Sequence, residues 1–187
     1  MDLTGLYADL TGSQAVSTTL DVERARRMPR DRRGASPCRL TLADRLGGGL
    51  DGAWWPHTTS MARELPDLID ALQEPLGQIV DIALNWSPLE GVPDLDLLNR
   101  RGVAATPGRE SRRFRVMTLT SENAHANLLV VPFRTSTALA IMLLRHAADL
   151  PVLHVHQLTP AFQTADVIVR AARAQNAPEA APAESSS

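Results

Sequence analysis

His154 and His156 flank Val155, and in a strand that spacing turns both imidazoles to one face, where a metal ion could be held. A third ligand has no such spacing. His57, His125 and His146 would have to be gathered by the fold, and no H-E-x-x-H pattern accompanies them. The expectation is therefore no metal site and no cofactor, with the histidines satisfied by hydrogen bonds. Glu122 and His125 could pair as acid and base, but their polar stretch Ser121-Glu122-Asn123-Ala124-His125 reads as an exposed hairpin turn. Cys38 is the single cysteine, so no intramolecular disulfide can form, and no base is recognisable beside it. No G-x-S-x-G elbow is present.

All 19 basic residues are arginine. Without lysine there is no phosphate-loop lysine, no Schiff base and no amine nucleophile, which removes P-loop, kinase-like and pyridoxal chemistry together. The run Gly47-Gly48-Gly49-Leu50-Asp51-Gly52 consequently reads as a plain turn rather than a phosphate cradle. No residue is assigned a catalytic role.

Two segments could bind rather than react. Asp51-Gly52-Ala53-Trp54-Trp55-Pro56-His57 sets two indoles beside an acid and an imidazole. Neighbours in an extended segment face opposite sides, so one tryptophan is expected in the core and the other partly exposed over a groove or partner. Asp51, Trp54, Trp55 and His57 are the candidate ligand or partner contacts. Arg24, Arg26, Arg27, Arg30, Arg32 and Arg33 form a basic cluster that could neutralise phosphates on nucleic acid. Asp21, Glu23 and Asp31 dilute that charge, and no aromatics interleave for base stacking.

The elements that must position these residues follow from length and periodicity. A chain of 187 residues with 44% hydrophobic and 21% charged residues fits one domain, and 4% aromatics means an aliphatic core. The net charge of -2 gives no whole-chain attraction to nucleic acid or anionic membrane. Met1–Gln14 lacks a secretory leader and the longest apolar run, Ala138–Leu144, is too short to cross a bilayer, so a cytoplasmic protein is expected, without membrane contact.

Residues 1–37 show no sustained period and read as a flexible arginine-rich arm, residues 38–176 as a single domain, and residues 177–187 as a disordered tail. Within the domain, Cys38, Leu40 and Leu42 alternate as a short strand, and Val80, Ile82, Leu84 and Trp86 as a second. Leu65, Leu68, Ile69, Leu72 and Leu76 recur at helical spacing after a Thr59 or Ser60 cap. Residues 87–112 are rich in turn formers, with one short strand expected over 103–106. Arg113–Thr120 and Asn127–Phe133 predict a hairpin, Thr135 or Ser136 caps a helix through Ala148, and Thr159-Pro160 opens the last helix. The fold class predicted is α+β: a mostly antiparallel or mixed sheet with helices packed on one face and disordered ends.

The D-G-A-W-W-P motif, with Glu64-Leu65-Pro66, Leu68, Leu72 and Leu128-Leu129-Val130-Val131-Pro132, resembles a family of uncharacterised bacterial proteins built on a domain of unknown function. The resemblance covers roughly residues 38–148 and implies no reaction, so no catalytic residue is carried over. Where that family tends to place a basic residue after the motif proline, this chain has His57, which argues against a fixed cation for anions there. The function expected is a non-enzymatic binding or protein-interaction module with a protein partner or self-association. Its rivals are an arginine-armed accessory of RNA or a ribonucleoprotein, and a small enzyme with a His/Asp/Arg site.

Overall fold

The computed structural model describes residues 18–20, 38–47, 49–86, 94–96 and 114–177, the first group by its backbone alone. The strands are β1 (Thr18–Leu20), β2 (Leu40–Leu42), β3 (Gly52–Trp54), β4 (Ile79–Leu84), β5 (Val116–Ser121) and β6 (His125–Val130). The helices are α1 (Met61–Leu76), α2 (Thr137–Ala147), α3 (His154–Gln157) and α4 (Pro160–Asn176). One sheet runs β1-β4-β5-β6-β3-β2, antiparallel throughout except where β3 lies parallel to β6. The predicted α+β class and mixed sheet are what the chain forms.

Its helices, however, cover both faces rather than one. Side chains alternate along a strand, and both halves of the alternation in β6 are apolar. Leu128 and Val130 join one core with Leu68, Ile69 and Leu72 of α1. Leu129 and Val131 join a second core with Leu139 and Leu143 of α2 and Ile168 and Val169 of α4. A strand apolar on both sides needs cover on both.

Ser60 stands at the N-cap of α1, and Gly77 follows its last turn at a φ of 77° that favours glycine. Thr159 caps α4 by accepting from Phe162 N–H, with Pro160 in the first turn where its missing donor is harmless. The hairpin forms as β5 and β6, its turn organised by Ser121, whose Oγ accepts from Ala124 N–H at 3.0 Å.

Three local readings change. The register of β4 shifts between Ile79 and Asp81, so Ile79 is buried with Ile82 while Val80 stands 50% exposed. A bulge breaks period-two alternation, and Val80 therefore leaves the face that simple alternation assigns it. Thr18–Leu20, expected within a flexible arm, pairs with β4 as an edge strand, which fits its β-branched residues and the open edge of β4. His154 and His156, which would share a face only in a strand, lie in the short helix α3, where a spacing of two does not share a face. The strand expected over 103–106 and the arginines from Arg24 to Arg33 lie outside the described residues.

Candidate functional site

The D-G-A-W-W-P motif is built into the sheet. Gly52 lies so close to β2 that an added Cβ would meet the Thr41 carbonyl oxygen at 2.1 Å, which explains glycine there by close approach alone. Asp51 is 1% exposed and its carboxylate accepts from Gly47 N–H at 2.6 Å and Asn127 N–H at 2.8 Å. Its own N–H donates to Asn127 O, and its carbonyl accepts from Ala43 N–H. One acid thus ties the glycine loop, the end of β2 and strand β6 together. Charge-assisted bonds to backbone amides are strong ones, and here they hold structure.

Trp54 and Trp55 do face opposite sides, one in each core, but neither is open: they are 1% and 8% exposed. The expected groove-lining tryptophan is absent because both sheet faces are covered at this point. Trp54 hydrogen-bonds the Cys38 thiol. Trp55 is overlaid by the Arg39 guanidinium, 3.6 Å from the ring centroid, and its Nε1 has no partner. Arg39 also donates from Nε to Trp55 O at 3.0 Å and from Nη2 to Pro56 O at 2.6 Å. Burial pushes the Arg39 pKa down, and Glu64 and Cys38 push it back up. His57 is half-buried, its N–H donating to Glu64 Oε2 at 3.0 Å.

Arg39 escaped the sequence reading. Alternation puts it opposite Cys38 and Leu40, but its seat over Trp55 depends on the pairing of Leu40 with Trp54, which no local pattern gives.

Burial, then the charges of Asp67 and Glu64, push the Cys38 thiol up from 9.0 to about 11, against smaller opposite effects of Trp54 and Arg39. At pH 8 that leaves about a hundredfold less thiolate than an unperturbed thiol, and iodoacetamide should modify native Cys38 correspondingly slowly. The folded state holds this proton more tightly than the unfolded chain, so its contribution to stability is complete below pH 9.0 and disappears as the pH rises through about 11. Denaturant midpoints compared with Cys38→Ser should converge over that window; unchanged separation would contradict it.

The remaining histidines are dispersed. His146 Nε2 lies 3.1 Å from Asp166 Oδ1, with Asp166 also paired to Arg170, and its ring rests on Phe162. His125 Nδ1 is 3.3 Å from Thr120 Oγ1 at an exposed position, so its ring meets Thr120 rather than Glu122. Among the described residues no three His, Cys, Asp or Glu side chains gather as a metal site, and no helix is long and apolar enough to cross a membrane.

The surface feature that departs most from a solvated exterior lies between α2 and α4. Leu153, Val155 and Leu158 are 68%, 65% and 69% exposed, and none of the four residues of α3 is buried. Arg145 Nη2 donates to Pro151 O at 2.7 Å, fixing this knuckle to α2 on the side where Ile141, one turn earlier, is also exposed.

These features define a two-core α+β protein in which a tryptophan pair, an arginine and a buried acid lock β2, β3 and β6 together. Residues 39–147 match the model of a family of unknown function (DUF5994), and the chain belongs to that family. The match begins at Arg39, takes in both tryptophans and ends with α2. No curated protein and no solved structure matches the chain.

Proposed function

We propose that this chain is a non-enzymatic protein-interaction module of the cytoplasm, and that the Leu153–Leu158 knuckle is its contact surface for a second copy of the chain. The observation that carries this reading is the exposure of three large aliphatic side chains within six residues. Contiguous apolar surface of this kind marks interaction sites. Between residues 150 and 165 the only ionisable side chains are His154 and His156, so two knuckles can meet across a two-fold axis without fixed like charges opposing each other. A half-buried cysteine kept as a thiol suits a reducing compartment.

Sedimentation velocity from micromolar to near-millimolar protein tests it. The wild type should shift from monomer to dimer, and Leu153→Ser with Leu158→Ser should stay monomeric while melting at the same temperature, since exposed positions contribute little to folding. A wild type monomeric at every concentration overturns the proposal.

A further inference from the structure

The Leu153–Leu158 knuckle carries two imidazoles among its aliphatic side chains. Leu153, Val155 and Leu158 are exposed, and so are His154 and His156 between them. His154 and Leu158 stand one helical turn apart and therefore lie side by side on the surface. His156 N–H donates to Leu153 O at 2.9 Å, closing the turn that brings position 156 next to Leu153. A second copy that covers the leucines must cover the imidazoles as well.

The neighbouring charges decide which protonation state can be covered. Helix α2 presents Arg145, whose Nη2 is fixed on Pro151 O, and His146, whose Nε2 lies 3.1 Å from Asp166 Oδ1. Between Thr137 and Asn176 the only carboxylates are Asp149 and Asp166. Asp149, in the connection after α2, pairs with Arg173 of α4 at 2.7 Å, and Asp166 of α4 pairs with Arg170 as well as His146. Both acids are thus already matched to arginine. Neither is left to neutralise an imidazolium on α3, and the Arg145 guanidinium at the base of the knuckle disfavours a further positive charge. Histidine ordinarily changes its charge between about pH 5 and 8, and a charge taken out of water without a partner is costly.

We propose that His154 and His156 make the self-contact acid-labile: two knuckles meet while these imidazoles are neutral and part when they take up protons. This rests on the knuckle being the contact between copies. Across a two-fold axis the same patch comes from both partners, so protonation crowds imidazolium from each copy into one covered surface. Association expels the protons that the free chains hold. The dimer is therefore at full strength above the histidine range and weakens as the pH falls through it.

Sedimentation velocity at pH 7.5 and pH 5.5, at equal ionic strength and over the same concentrations, reads this directly. With one imidazole per copy covered and an ordinary histidine pKa of about 6.5, the wild-type dimer should be about a hundredfold weaker at the lower pH. His154→Gln with His156→Gln should dimerise at both pH values with constants within about threefold of each other, since exposed substitutions leave the fold in place. The double variant keeps every other titrating group, so its dimer at pH 5.5 also shows that acid has not unfolded the chain. A wild-type dimer of equal strength at both pH values overturns this inference and leaves the contact standing, whereas a wild type monomeric at pH 7.5 overturns both. A double variant that weakens at pH 5.5 as the wild type does, or that is monomeric at pH 7.5, overturns it too.

Discussion

Trp54→Ala and Trp55→Ala should each lower the stability of the chain by about 3–5 kcal/mol, measured from urea midpoints at constant slope. That is a large part of what a single domain has to lose. The two losses are expected to be alike, because each indole fills a separate core: Trp54 against α1 and Trp55 against the α2 and α4 layer. Their side effects differ. Trp54→Ala removes the donor that meets Cys38 and opens the thiol to alkylation, whereas Trp55→Ala leaves Arg39 without the surface on which its guanidinium lies. One mutant near wild-type stability would show that its indole is not a core element.

Asp51→Ala should be comparably severe, at about 3–5 kcal/mol, although it removes only a small side chain. Its carboxylate serves two backbone amides, Gly47 N–H and Asn127 N–H, from a position 1% exposed. Breaking a buried charge-assisted arrangement leaves donors without partners in a medium that cannot hydrate them. Asp51→Asn keeps the shape and one acceptor oxygen, so it should recover part of the loss. Thermal melts of the pair decide the matter, and an Asp51→Ala protein as stable as wild type would remove the acid from its structural role.

The sequence makes much of this visible through short-range pattern. Leu65, Leu68, Ile69 and Leu72 declare α1 by spacing, and all four are buried in one core. The cap at Thr159 and the hairpin turn after Ser121 follow from local residue chemistry in the same way, whereas Ser60 holds the N-cap position of α1 without a side-chain bond. What the sequence hides is pairing at a distance. Gly52 lies opposite Leu128 and Trp54 opposite Val130, a parallel contact across more than seventy residues that closes off both tryptophans. Without that pairing the motif reads as half open and Asp51 as a ligand contact. The bulge at Val80 and the edge strand at Thr18–Leu20 are hidden for a related reason: each is decided by what a neighbouring strand leaves unpaired.

The position of β6 has a kinetic consequence. Its hairpin with β5 is local and can form early, but its parallel contact with β3 closes a long loop whose entropy must be overcome before any bond is gained. Because Leu128 and Val130 serve one core and Leu129 and Val131 the other, neither core is complete until that loop closes. Docking of β3 onto the preformed hairpin is therefore the step expected to limit the folding rate. Conservative changes in Ala53 or Leu129 should then slow folding, while changes in the distal half of α4 mainly hasten unfolding.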